Sequence, residues 1–199
     1  MTLRVALEAV LAALLLVLLA PVLLATALAV RLALGRGVLF RQTRSGLGGV
    51  PFLMIKFRTM TDARDAQGNL LPDPDRTPAL GRWLRRLRID ELPELVNIAR
   101  GEMAFVGPRP LLPATIAEMG DGGIARGAVR PGLTGWAQVN GNALLSREDK
   151  LALDLAYIRA RSLRFDTRIV LRTVLVVLLG ENATMTKEAR DARGSRRLG

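Results

Sequence analysis

The chain contains neither cysteine nor histidine. Without cysteine there can be no disulfide and no thiolate zinc site, and the composition fits a reducing compartment. Without histidine the commonest general base is missing, so nucleophiles and bases must come mainly from carboxylates, hydroxyls or lysines. Aromatic residues are scarce: five Phe, two Trp and one Tyr among 199 residues. Stacking platforms for single-stranded nucleic acid are correspondingly sparse. No glycine-rich stretch has the spacing of a P-loop or a dinucleotide fingerprint, and no internal repeat is present.

What is present is apolar and basic. Half of the residues are hydrophobic, enough for a real core, and the length fits one domain with an appended anchor. The formal charge is +11, from 29 Lys+Arg against 18 Asp+Glu. That balance favours anionic partners such as nucleic acid, anionic lipid or phosphorylated substrates.

From Ala9 to Val30 no charged residue occurs. The stretch is about as long as the ~20 residues a helix needs to cross a bilayer. A single signal anchor is the plainest reading. A cleaved signal peptide fits less well, because the apolar run exceeds the usual ~7–15 residues, although Ala27-Leu28-Ala29 imitates a cleavage site. A third reading is a helix that enters the membrane, bends and returns. Pro21 near the middle removes a helical N–H and clashes with the preceding turn. Arg4 lies before the run, and Arg31, Arg36, Arg41 and Arg44 follow it. Positive charge gathers on cytoplasmic flanks, so charge at both ends suits two ends on one face.

Beyond Gly35 and Gly37 the pattern changes. Val38-Leu39-Phe40 and Pro51–Phe57, around a Gly46/Gly48/Gly49 turn, read as short strands. Residues 61–79 read as a polar loop. Arg82, Arg85, Arg86 and Arg88 interleave with Trp83, Leu84 and Leu87 as a short basic amphipathic helix. A further helix is expected from Asp90, with Asp as N-cap, Pro93 in the first turn and Gly101 as the stop. Gly and Pro make 107–142 loops around a short helix near 112–119. A later helix should turn Leu151, Leu155 and Ile158 to one side. Val174–Leu179, preceded by Arg168 and Arg172, is too short to span a membrane and suits a core or interfacial helix. Residues 181–199 are polar and are expected to form a flexible tail.

Asp90-Glu91 is the feature with most chemical content. As an ordinary helix start, Asp90 only caps and Glu91 only complements the dipole. In a cationic setting, however, a helix N-terminus attracts anions. Mg²⁺, which keeps several waters and uses one or two carboxylates, offsets the repulsion between carboxylate and phosphate. Arg88 stands next to the pair. Pro108-Arg109-Pro110 reads as a rigid turn, or as a fixed backbone from which Arg109 forks onto phosphate. Lys56 and Arg58 in Lys56-Phe57-Arg58-Thr59-Met60 either edge a strand or face a diphosphate. Pro131-Gly132-Leu133-Thr134-Gly135-Trp136 is a glycine-shaped turn packing a Trp, or a ligand loop acting through backbone N–H groups.

Taken together these residues resemble the monotopic phosphoglycosyl transferases, or bacterial sugar transferases. The resemblance runs from the N-terminal helix to about residue 179. It rests on Phe40-x-Gln42-x-x-x-Gly46-x-Gly48, Lys56–Met60, Asp90-Glu91-Leu92-Pro93, Val106–Pro110 and Arg130–Gly141, with Tyr157, Ser162-Leu163 and Asp166 continuing it. It implies a mostly helical α+β fold: a re-entrant membrane helix over residues 1–35 broken at Pro21, a catalytic domain over 36–180 with a short β-hairpin and interfacial amphipathic helices, and the tail at 181–199. It implies transfer of a phosphosugar from a UDP-sugar to polyprenol (undecaprenyl) phosphate, giving polyprenyl-diphosphate-sugar and UMP, the first membrane step of glycoconjugate assembly. Asp90 would be the nucleophile that carries the phosphosugar. Glu91 would assist metal binding or take a proton from the lipid phosphate, with Mg²⁺ held by Asp90 and Glu91. Lys56, Arg58, Arg88 and Arg109 would hold phosphates, with Pro108 and Pro110 framing Arg109 near the uridine.

The family's helix breaks at Ser-Pro, where this chain has Ala20-Pro21, and many members carry Arg at the position of Asn142. The resemblance also implies the cytoplasmic membrane as location, with the catalytic domain on the cytoplasmic face and membrane lipids as surroundings. The competing reading, from the +11 charge, is a membrane-anchored basic scaffold binding nucleic acid or lipid without catalysis.

Overall fold

Helix α1 (Leu3–Leu18) and helix α2 (Ala20–Leu34) share one apolar run that breaks between them. In this computed structural model, which describes residues 2–180, the two axes differ by 64°. The turn falls at Leu19, two residues ahead of Pro21, which sits in the first turn of α2. Pro21 has no N–H to offer the Val17 carbonyl, whereas the Leu19 N–H keeps the regular i→i−4 bond to the Leu15 carbonyl at 2.8 Å. The broken ladder thus precedes the proline that causes it. Among the described residues no single helix is long and apolar enough to cross a membrane; the bent pair passes that test together. Large apolar side chains lie open along both helices, among them Leu7, Leu14 and Leu18 on α1 and Leu24, Leu28 and Leu32 on α2.

The chain then forms an antiparallel-type hairpin order of strand β1 (Leu39–Ser45) and strand β2 (Pro51–Phe57), with a 3-10 turn at Leu47–Gly49 between them. Gly48 and Gly49 take positive φ there, which spares the turn a side-chain clash. The expected loop at 61–79 contains the isolated bridge Arg64–Leu70 and the short helix α3 (Asp73–Arg76). Basic helix α4 (Ala79–Arg86) follows as expected and buries Leu84 while leaving Trp83 out.

The helix expected from Asp90 is corrected by the structure. Residues Ile89–Glu94 are a 3-10 turn, and regular helix α5 begins only at Leu95 and ends at Ala99. Pro93 is the physical reason. It cannot donate to the Ile89 carbonyl, so the first turn closes on i→i+3 bonds. Asp90 is therefore not the N-cap. Arg88 holds that place in the left-handed region, at φ 55°.

The rest is strand β3 (Ala104–Val106), α6 (Pro113–Glu118), α7 (Asp121–Arg126), β4 (Gly132–Thr134), 3-10 turns at Gln138–Asn140 and Asn142–Leu144, α8 (Arg147–Ala160) and α9 (Leu163–Leu179). Strands β3 and β4 pair in parallel, Ala104 with Gly132 and Val106 with Thr134. On α8 the fully buried residues are Asp154 and Tyr157, with Leu151, Leu155 and Ile158 half-buried. Helix α9 buries Ile169 and Val176 and leaves Leu171, Leu175, Leu178 and Leu179 exposed. The expected tail at 181–199 lies outside the described residues.

The described chain divides into two units. One holds residues 2–42 and 53–99. Its core joins Val30 of α2, Phe57 of β2 and Leu84 of α4, and α1 packs on α5. The other holds 43–52 and 100–180. There Val106, Val139, Tyr157, Ile169 and Val176 form the core, with Trp136 and Phe165 against it.

Candidate active site

In the first unit the acidic turn is built onto β2 by one buried amide. Asn97 of α5 is fully buried; its Oδ1 accepts the Ile55 N–H at 3.2 Å and its Nδ2 donates to the Leu53 carbonyl at 2.8 Å. These bonds bracket Met54, two residues ahead of Lys56, and hold the end of β2 from which the Lys56 side chain emerges. Gly81 brings α4 against the end of the same strand: a Cβ there would lie 2.0 Å from the Thr59 carbonyl oxygen.

Lys56 Nζ consequently reaches Glu91 Oε1 at 2.9 Å and Glu94 Oε1 at 3.0 Å. Arg88 Nη1 stands 3.4 Å from Glu91 Oε2. Asp90, Glu91 and Glu94 are all buried. Acids packed this closely need cations to remain charged, and Lys56 and Arg88 supply them. Of the residues read from the sequence, Lys56, Arg88 and Glu91 thus come together beside Asp90. Glu94 belongs to the cluster and was missed by sequence reasoning. Its signal was its place three residues after Glu91, which reads equally as a solvated helix face.

Arg58 binds elsewhere. Its guanidinium donates to the Leu34, Arg36 and Met60 carbonyls and pairs with Asp62. It closes the C-terminal end of α2, which leaves carbonyls without helical partners.

Among the described residues no three carboxylates converge as a metal cage. The donor set fits an ion that draws most of its ligands from water and substrate phosphate, as Mg²⁺ does with one or two carboxylates.

The second unit carries Pro108-Arg109-Pro110 directly after β3. The Gly107 N–H donates to the Thr134 carbonyl and the Gly132 N–H to the Pro108 carbonyl, each at 2.9 Å. A Cβ on Gly132 would sit 2.1 Å from the Gly107 nitrogen, and one on Gly135 2.1 Å from the Gly107 oxygen. The glycines of the 131–136 motif therefore serve close backbone approach. Trp136 packs edge-on to Phe165 at 4.9 Å, and the guanidinium carbons of Arg168 and Arg172 lie 5.6 and 5.3 Å from its ring centre. The Tyr157 hydroxyl lies 2.7 Å from Asp166 Oδ1 and 3.1 Å from the Val106 carbonyl, tying α8 and α9 to the strand that leads into the loop.

Arg109 lines a cavity of about 490 Å³, together with Ser45, Gly48, Ile124, Arg126 and Pro131. Sequence reasoning missed Arg126. It is buried, and on α8 it meets Asp154, whose carboxyl is pushed up by burial while the Arg126 charge and hydrogen bond, and Lys150, pull it back.

Known proteins resemble this chain over most of its length. A sugar transferase of Bacillus subtilis, EpsL, is 46% identical over 164 residues, covering 82% of this chain and 81% of its own. The UDP-glucose:undecaprenyl-phosphate glucose-1-phosphate transferase of Caulobacter vibrioides is 44% identical over 191 residues, 89% of this chain and 70% of that one. The Escherichia coli protein of the same name is 40% identical over 182 residues, covering 86% of this chain; this chain spans only 39% of its length. The family described as bacterial sugar transferase matches residues 1–180, and the chain belongs to that family.

Proposed function

We propose that this protein transfers a sugar-1-phosphate from a UDP-sugar to undecaprenyl phosphate, releasing UMP, through a covalent intermediate on Asp90. The observation that carries the reading is the buried acidic turn: a carboxylate pair set among Lys56 and Arg88, in a chain with no histidine or cysteine to serve instead. Its relatives from C. vibrioides and E. coli are named for the same exchange with UDP-glucose. A non-catalytic scaffold finds no support in relatives named as transferases.

In the first step an Asp90 carboxylate oxygen bonds to the phosphorus that bears the sugar. The bond from that phosphorus to the bridging oxygen breaks, and UMP leaves with the oxygen. In the second step a phosphate oxygen of undecaprenyl phosphate attacks the same phosphorus, and the Asp90 oxygen leaves as carboxylate. One anhydride-type link is exchanged for another at each stage, so neither step is steeply uphill. Mg²⁺, held by Asp90 and Glu91, would supply neutralising charge. Lys56 and Arg88 pair with Glu91 beside the nucleophile, and Arg109 meets the donor's phosphates. Glu91 lies close enough in sequence to take part in metal binding or to receive the acceptor's proton.

The lipid acceptor calls for a membrane surface, and the open apolar faces of α1 and α2 suit one. The 64° bend supports a re-entrant insertion that leaves both ends of the pair on the cytoplasmic face of the bacterial inner membrane. Incubation with UDP-glucose and Mg²⁺, lipid withheld, tests the chemistry. A protein-bound hexose phosphate and about one equivalent of UMP should form, and Asp90→Asn should form neither. An adduct in Asp90→Asn, or none with any UDP-sugar in the wild type, overturns the assignment.

A further inference from the structure

The loop carrying Arg109 is short of backbone donors. Pro108 and Pro110 have no N–H, so the segment has to be fixed largely through its carbonyls. Side chains from separate elements do this. Arg44 of β1 donates to the Pro110 carbonyl at 3.3 Å, Tyr157 of α8 approaches the Val106 carbonyl at 3.1 Å, and Arg126 of α7 donates from Nη2 to the Arg109 carbonyl itself at 2.9 Å.

Arg126 stands apart because of how it is kept. Its side chain is 6% exposed and that of Asp154 4% exposed, with Nη2–Oδ2 at 2.7 Å and Nε–Oδ2 at 2.9 Å. Desolvation cancels most of the attraction in such a pair, and well-packed apolar residues of similar volume hold a fold equally well. Stability alone therefore does not account for it. What a Met–Leu pair could not do is donate to the Arg109 carbonyl. The Nη2 group has two hydrogens, one for Asp154 and one for that carbonyl, and the planar fork holds both directions at once. Arg109 and Arg126 also line the same 490 Å³ cavity, so movement of the loop is movement of the cavity wall.

We propose that Arg126 and Asp154 are positioning residues for Arg109: the α7–α8 ion pair fixes the Arg109 carbonyl and so sets the direction from which its guanidinium meets the donor's diphosphate. The inference rests on the reading of Arg109 as a phosphate-holding group.

The test uses the full chain in detergent or nanodiscs, with UDP as probe, since UDP carries the diphosphate common to all UDP-sugars. UDP affinity by calorimetry and thermal midpoints are measured for the wild type, Arg109→Ala, the double variant Arg126→Met/Asp154→Leu, and the triple variant. The double variant should melt close to the wild type yet bind UDP about tenfold more weakly, a loss of about 1.4 kcal/mol. Arg109→Ala should lose a comparable factor, and the triple variant no more than either, because both changes remove one contact. A folded double variant with wild-type affinity, or losses that multiply in the triple variant, overturns the positioning role and leaves Arg109 standing. Wild-type affinity in Arg109→Ala overturns the phosphate reading and the inference with it. Should the double variant fail to fold, Arg126→Lys replaces it: the charge opposite Asp154 stays and the fork is lost. Weaker UDP binding then supports the role, and unchanged binding refutes it.

Discussion

Replacing Lys56 by Met is the sharpest perturbation of the acidic turn. Met preserves most of the volume and stem, so the change is chiefly one of charge. The Lys56 side chain is 12% exposed, and its ammonium bridges Glu91 and Glu94, whose side chains are 8% and 3% exposed. Removing one member of a buried pair costs about 3–5 kcal/mol, because the charge left behind has lost both its partner and its water. Two carboxylates are left here, but Arg88 remains 3.4 Å from Glu91, so the lower end of that range applies. At roughly 2–4 °C per kcal/mol for a chain of this size, about 3 kcal/mol lowers the melting midpoint by about 6–12 °C. The assay is thermal unfolding of the detergent-solubilised protein by circular dichroism. A second substitution makes the cause visible. Adding Glu94→Gln to Lys56→Met removes one of the two carboxylates that Lys56 bridges and should recover part of the loss. A midpoint within about 1 °C of wild type for Lys56→Met, or no recovery in the double variant, would refute the account of Lys56 as the cation that lets these acids be buried.

Asp154 makes stability pH-dependent in a definite direction. Its native carboxyl is raised above the ordinary 3.8, by burial first, against the opposing pull of Arg126 and Lys150. A raised acid holds its proton more tightly when folded, so its contribution is fully present below pH 3.8 and is lost as pH rises through the native value. Arg126→Met/Asp154→Leu lacks that loss, so its melting midpoint should gain on the wild type as pH is raised from about 4 to 7; a constant difference across that range would contradict the burial argument. The re-entrant reading of α1 and α2 is checked by single cysteines at Leu3 and Arg36, each unique because the chain has no other. Both should react with an impermeant maleimide only after inner membranes are opened from the cytoplasmic side, and labelling of Leu3→Cys from the opposite side would establish a plain span.

The sequence made the acidic pair legible because Asp90-Glu91 is local: two acids side by side, ahead of a proline, after a run of arginines. It made the N-terminal break legible for the same reason, and only its offset of two residues, to Leu19, depended on how the ladder rearranges around Pro21. What it did not show was which cations serve which acids. Lys56 lies 35 residues from Glu91, and Arg126 lies 28 from Asp154. No spacing rule connects such pairs; β2 and α5 have to be docked by Asn97 before Lys56 can find its partners. On α8, periodicity favours Leu151, Leu155 and Ile158 as the inner side, whereas Asp154 and Tyr157 are the residues most deeply buried. The pattern fails there because each buried polar group has a specific partner across the core, and partnership cannot be read from hydropathy.

Arg88 shows how far local rules carry. An arginine in the left-handed region forgoes about 1–2 kcal/mol relative to ordinary helix geometry, and glycine or asparagine is the usual occupant. No propensity argument would place Arg88 there, and the expected helix from Asp90 followed from that omission. Pro93 supplies the other half of the explanation. It tightens residues Ile89–Glu94 into a 3-10 turn, and the chain leaving α4 must reverse its twist at Arg88 to enter that turn. The same reversal brings the Arg88 guanidinium back over Glu91, three residues on, with the Glu91 N–H bonded to the Arg88 carbonyl at 3.3 Å. A glycine at 88 would relieve the backbone and lose that cation. The strain is therefore tied to the charge balance of the acidic turn: the conformation costs stability, and the side chain that suffers it sets a guanidinium 3.4 Å from the buried Glu91 carboxylate, next to Asp90.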